Sequence, residues 1–341
     1  MKKVSILLVV ILTFAVLSVY AGGGRQSSGD TITLKIAHTG SELTMVHKTV
    51  LHFKELVEKN SNGRFKVDIY HSTMLGNDAQ LVEATQSGDL QMMFTNTGNL
   101  LSFVPELGVF ALPFAFPSHE VAYKVLDGSF GKEMLDIMEK KGSMVGISYL
   151  EAVAYRELST KNKVVRVPGD MAGIKIRVMT NPIHIEIWKS MGAQPTPISF
   201  AELYTALQQG TIDAQENPLE LFISQRFYEV QKQITLTHHV FTTGMLMANP
   251  AWFNGLPANL QKVIRDAGME ATLLQRRLAA EDYDGYLKTL AANNVTVTTL
   301  NEADFKQWQD KAAPVRNMIA NEVGGMALVD KLLNAVKDAQ R

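Results

Sequence analysis

Apolar and polar residues alternate with period two in two short stretches near the start of the chain, a short apolar run follows, and between these apolar residues recur every three to four positions. Ile32, Leu34 and Ile36 in TITLKIA predict a strand, and Val46, Val50, Phe53 and Val57 line one side of a helix over 45–60. RFKVDIY predicts a second strand, 78–86 a second helix stopped by Gly88, and LQMMF a third strand. The same strand, helix, strand, helix, strand order returns between Gly173 and Pro218. There Ile174, Ile176 and Val178 alternate with Lys175, Arg177 and Met179, so Arg177 projects opposite the apolar set. Asn181 as N-cap and Pro182 at the first helical position open a helix that Gly192 stops. Pro195 and Pro197 bracket a short strand suited to a sheet edge. Ser199 and Glu202, in capping-box spacing, open a helix with Phe200, Leu203, Tyr204 and Leu207 on one face and Gly210 at its end. Gln86-Ser87-Gly88-Asp89-Leu90 and Gln208-Gln209-Gly210-Thr211-Ile212 each close a helix and open a strand. The repeated order predicts an α/β chain folded as two similar lobes facing each other.

Between the repeats, Phe110 to Pro117, FALPFAFP, carries two prolines in an apolar run and predicts a packed, non-helical connection. Met144 to Leu150 reads as a buried strand leading to Arg156, a candidate crossover. Past Pro218 a helix is predicted over 219–229, followed by the strand-like ITLTHHVFTTGMLMA, which crosses back. Leu256-Pro257 opens a long helix through about Ala291, 295–300 is a short strand, and the C-terminus is helical. One lobe is accordingly expected to take 31–153 with about 243–282, and the other 154–242 with about 283–341.

Lys2 and Lys3 precede an apolar run from Val4 to Val19 and the small-residue site ending at Ala21, which predicts a cleaved secretory signal over 1–21. The alternative is a retained N-terminal anchor. GGGRQSSGD, 22–30, is a flexible leader. No cysteine is present, which excludes a lipid-anchored mature end and a disulfide framework. Cleavage at Ala21 leaves 320 of the 341 residues, enough for two cores, with 31 basic against 34 acidic side chains. That balance, with no basic block, argues against nucleic acid and anionic membrane as partners.

Arg177 lies near the carboxyl end of a strand that feeds a helix N-terminus, the edge where open α/β sheets hold ligands and where free N–H groups favour anions. Asn217 lies at the equivalent edge, and His38 follows the first strand in the same way. Each has a plain alternative: an internal ion pair between Arg177 and Glu216, a turn role for Asn217 before Pro218, and a turn role for His38. There is no phosphate loop, dinucleotide fingerprint, nucleophile elbow or HExxH motif, and the eight histidines do not show the i, i+4 spacing that grips a metal on a helix. No cofactor, metal or catalytic residue is therefore expected.

The strings KIRVM, MGAQPTPISFAELYTALQQGTIDAQENP, LGNDAQLVEATQSGDLQMMF, FALPFAF and LPANLQKVIRDAG together resemble the solute-binding proteins of TRAP transporters, the DctP family. The resemblance covers most of the mature chain. It implies a two-lobed, periplasmic-binding-protein-like fold with a ligand cleft between two α/β domains and long C-terminal helices. It also implies a periplasmic monomer that hands an organic acid to TRAP membrane subunits. Carried over position by position, it makes Arg177 the residue that grips the substrate carboxylate with two parallel charge-assisted hydrogen bonds. Asn217, Phe200 and Arg156 join it, and His38, Thr39 and the loop 95–99 complete the pocket. Asn96 and Asn99 stand where sialic-acid binders carry an acid and an arginine, and Thr180 replaces an asparagine. Those departures favour a sugar acid such as a uronate, with a C4-dicarboxylate reachable through Arg156. Two other classes remain at this point, a secreted α/β enzyme acting on a carboxylate and a membrane-tethered sensor.

Overall fold

The computed structural model describes residues 31–150 and 155–341; the signal segment, the leader and the lobe boundary at 153/154 lie outside the described residues. The chain opens with β1 (Ile32–Ala37), α1 (Met45–Asn60), β2 (Phe65–Tyr70), α2 (Asp78–Ser87) and β3 (Met92–Asn96). It continues through α3 (His119–Asp127), α4 (Ser129–Gly142), β4 (Val145–Ser148) and β5 (Glu157–Thr160). The second unit is β6 (Lys175–Val178), α5 (Pro182–Ser190), β7 (Gln194–Pro197), α6 (Phe200–Gln209) and β8 (Ala214–Asn217). Then come α7 (Leu219–Ser224), β9 (Gln233–Leu236), β10 (Gly244–Ala248), α8 (Pro250–Gly255) and α9 (Ala258–Ala292). β11 (Thr296–Thr299), α10 (Glu302–Ala312), α11 (Val315–Glu322) and α12 (Met326–Ala339) complete it.

The two units are built alike down to strand order. β1 lies between β2 and β3, parallel to both, and β6 lies between β7 and β8, again parallel to both. In each sheet the next strand comes from the other part of the chain and runs antiparallel: β10 against β3, with Leu246 opposite Phe94, and β5 against β8, with Leu158 opposite Glu216. The sheets are thus ordered β2-β1-β3-β10-β4 and β11-β9-β5-β8-β6-β7. Proline-bracketed β7 sits at an edge, where its missing N–H groups cost the ladder least.

The local chemistry accounts for most boundaries. Asn181 accepts the N–H of Ile183 at 2.8 Å and starts α5, with Pro182 as its first residue. Thr44 caps α1, whose Val46, Val50, Phe53 and Val57 are buried with Leu34 and Ile36 of β1. Burying each of these side chains contributes roughly 1.5–3 kcal/mol. Three stretches depart from expectation. Ser199 makes no backbone cap; its hydroxyl instead meets the Glu202 carboxylate at 2.5 Å. The helix after Pro218 stops at Ser224 because Arg226 adopts a left-handed φ of 57°, and a short 3-10 turn follows over Phe227–Glu229. The apolar run from Phe110 enters from a 3-10 helix, Pro105–Ala111, before breaking at Phe114, where φ is 55°.

α9 is a single helix of 35 residues that packs on α1 and β4 and reaches α7 and β11, so the expected lobe boundary at 282/283 falls inside an unbroken helix. Gly268 lets it approach β4, because a Cβ there would stand 2.8 Å from Ile147 Cγ2. Among the described residues no helix is long and apolar enough to cross a membrane.

Candidate functional site

One cavity lies where the carboxyl ends of strands from both sheets meet. His38, Thr39 and Gly40 follow β1, Asp78 opens α2, and Thr95, Asn96 and Asn99 end or follow β3. From the other sheet come Arg177 of β6, Met179 just beyond it, Phe200 at the start of α6, Asn217 at the end of β8 and Leu221 of α7.

Arg177 is 2% exposed. Its Nε donates to Ile198 O at 2.8 Å, while Nη1 is buried with no hydrogen-bond partner among the described residues. A buried, unanswered guanidinium N–H is costly unless something else meets it. Burial, and then the neighbouring Arg156, bring its pKa down to about 10, with Glu216 and Asp78 pulling the other way. It therefore stays cationic at neutral pH.

Glu216 is not the partner of Arg177. The antiparallel pairing of β5 with β8 brings Arg156, one residue ahead of β5, alongside Glu216 and Asn217. Arg156 Nε donates to Glu216 Oε2, and its Nη2 donates to Glu216 Oε1 at 2.9 Å and to Asn217 Oδ1 at 3.1 Å. His239 Nε2 lies 3.0 Å from Glu216 Oε2, and His184 Nδ1 3.4 Å from Oε1. Burial alone would push the Glu216 carboxyl up, but Arg156 and the two histidines hold it well below the usual range. Arg156 lines a separate recess behind the cavity with Asn96, Met179 and Thr243, rather than the cavity of Arg177. Asn217 is held by that guanidinium and by its own donation to Gln215 Oε1 at 2.7 Å. Thr180 is exposed and lies off the cavity: the strand ends at Val178, and Met179 takes the inward place.

Opposite the guanidinium stands a polar array. Asp78 Oδ1 accepts from Thr95 Oγ1 at 2.6 Å and from Thr39 Oγ1 at 3.3 Å, and Asn99 Nδ2 donates to Thr95 Oγ1 at 3.0 Å. Desolvation raises the Asp78 pKa, against these hydrogen bonds and the attraction of Arg177. His38 pairs with His47 at 3.1 Å, and burial first, then His47 and His71, lower its pKa to about 3, so it faces the cavity neutral. Asp78 is legible by the edge rule that selects His38, since it starts the helix after the second strand. Phe200 lines the cavity beside these groups, its ring edge-on to Phe227 at 6.4 Å.

A family model described as bacterial extracellular solute-binding protein, family 7, DctP, matches residues 36–322. The chain belongs to that family. Solved structures resembling it include TRAP periplasmic solute-binding proteins, so this is a TRAP-type solute-binding protein and not an enzyme. It is 37% identical over 276 residues to a solute-binding protein of Verminephrobacter eiseniae, covering 81% of each chain. It is 31% identical over 330 residues to the 2,3-diketo-L-gulonate-binding periplasmic protein YiaO of Escherichia coli, covering 96% of this chain and 98% of that one. The crystal structure of the sugar acid binding protein DctPAm of Advenella mimigardefordensis, in complex with galactonate, superposes with a TM-score of 0.88 at 33% identity, covering 91% of this chain and 99% of that one. Family members act outside the cytoplasm.

Proposed function

We propose that this TRAP solute-binding protein captures a hydroxylated monocarboxylate, a sugar acid of the aldonate or uronate kind, outside the cytoplasmic membrane and delivers it to the membrane subunits of its transporter. The observation that carries the reading is the asymmetry of the cavity. One side offers the buried Arg177 guanidinium with an unanswered N–H, and the other offers Asp78, Thr39, Thr95 and Asn99. A guanidinium suits one carboxylate. The array opposite suits hydroxyl groups, and a second carboxylate would meet the Asp78 carboxyl there instead of a cation. A C4-dicarboxylate would need a second cation in the cavity; Arg156, whose Nη1 is also unanswered, is held by Glu216 and Asn217 and lines the separate recess instead. Two relatives named for sugar acids support the same class. Binding draws the lobes together about the solute, and reopening releases it.

Calorimetric titration with galactonate, glucuronate, succinate and malate tests the reading, alongside mass spectrometry of any solute released by denaturing the purified protein. A sugar acid is expected to bind most tightly; tighter binding of succinate than of every sugar acid would overturn it. Asp78→Asn is expected to weaken the sugar acid by about 10- to 150-fold, the range for a hydrogen bond to a charged group, and to weaken succinate far less.

A further inference from the structure

Away from the solute cavity, one carboxylate joins the two lobes. Glu220 sits in the first turn of α7, and its neighbour Leu221 lines the cavity while Glu220 does not. The Glu220 side chain is 5% exposed, and its Oε1 accepts the backbone N–H of Met45, the first residue of α1, at 2.8 Å. The two residues are 175 apart in sequence and lie on helices that follow strands of different sheets, α7 after β8 and α1 after β1. α1 has no acidic residue in its own first turn. The acceptor that a free helix N-terminal N–H needs is therefore supplied from across the cleft. Thr44 and Val46, on either side of Met45, line the cavity, so this junction and the solute share one wall. A second cross-cleft bond runs beside it, from Gln225 Nε2 to Ser41 Oγ at 2.9 Å.

We propose that Glu220 is an inter-lobe latch: closure docks its carboxylate on the start of α1 and shifts the balance between open and closed forms without touching the solute. The proposal rests on the solute-binding reading. An interaction present only in the closed form raises affinity by the factor by which it favours closure. Burial pushes the Glu220 carboxyl up to about 7, against its bond from Met45 and the attraction of Lys48 on α1. Asp282 and Tyr286 of α9, with Arg226 and Tyr228 after α7, face it from one recess. Arg276 and the paired Glu157 and His238 face it from another. Because the closed form raises this pKa above the ordinary carboxylate value, the Glu220 contribution to closure is full below that value and is lost as pH rises through about 7. A glutamine keeps the acceptor oxygen and does not titrate.

The test compares the parent with Glu220→Ala and Glu220→Gln. In protein saturated with whichever acid the titration shows to bind, hydrogen exchange at the Met45 amide is expected to be several-fold faster in the alanine variant and restored by glutamine. This arm reads the bond in the closed form whichever acid closes it, so it stands or falls apart from the sugar-acid reading. With galactonate as probe, closure is followed by spin labels at Glu55→Cys on α1 and Lys189→Cys on α5, introduced into a chain without cysteine. Half-closure in the alanine variant is expected to need about 10-fold more galactonate at pH 6, with the closed-state label distance unchanged. The glutamine variant is expected to close like the parent at pH 6 and to lose the weakening the parent shows between pH 6 and pH 8. Unchanged Met45 exchange in the alanine variant overturns the latch. So does a galactonate requirement for closure equal to the parent's, or glutamine behaving as alanine does.

Discussion

Replacing Arg177 with alanine is expected to weaken solute binding by about 30- to several-thousand-fold while the ligand-free protein melts near the parent temperature. The loss follows from truncating one side of a desolvated charge pair, worth roughly 2–5 kcal/mol. The small stability change follows from what Arg177 holds in the ligand-free protein, one bond to Ile198 O and one N–H with nothing to meet. Its side chain leaves the strand opposite Ile176 and Val178, so the apolar face of β6 stays intact. Arg177→Lys is expected to fail as well, because an ammonium keeps the charge without the planar two-bond fork. Calorimetric titration and thermal unfolding decide it together. A large drop in melting temperature with binding preserved would make Arg177 a structural residue.

Arg156 is expected to behave in the opposite way. Arg156→Met leaves Glu216 buried, ionised at neutral pH and short of its main cationic partner, which costs about 3–5 kcal/mol. At this chain length that lowers the melting temperature by on the order of 10 °C. In the parent the depressed Glu216 pKa contributes stability above the ordinary carboxylate value that is lost only as pH falls through the much lower folded value. Without Arg156, burial, the largest influence on Glu216, is expected to outweigh the two histidines and raise its carboxyl above the unfolded value, so that the defect shrinks as pH falls through the carboxylate range. The gap between variant and parent melting curves should therefore narrow from pH 7 to pH 5. A gap that is absent at pH 7, or that widens toward pH 5, would rule this assignment out.

Arg177 and Arg156 mark how far the sequence could be read. Local signals carry local structure: Asn181 with Pro182, Gly88 and Gly210 mark helix ends that the structure places within a residue or two. The edge rule reached Arg177, Asn217 and His38 because each follows from the direction of a strand. Which arginine meets Glu216 depends on β5 lying antiparallel beside β8, a pairing across some 60 residues that no local pattern encodes. Thr180 comes from the resemblance, as the place of an asparagine after the key arginine, and here the strand ends at Val178 and Met179 takes the inward place. Glu220 reads as an ordinary charged residue of a short helix until α1 is laid against it.

The exchange of strands between the two sheets sets an order of events during synthesis. The side of β3 away from β1, a strand that carries Met92, Met93 and Phe94, stays unpaired until β10 has been made about 150 residues later. Until then neither half is a foldable unit, and an open apolar edge recruits any strand that meets it. A chain ended before residue 244 lacks β10, so it should collect in insoluble material instead of yielding an isolated lobe, and the first sheet can be completed only after more than two-thirds of the chain is available at once.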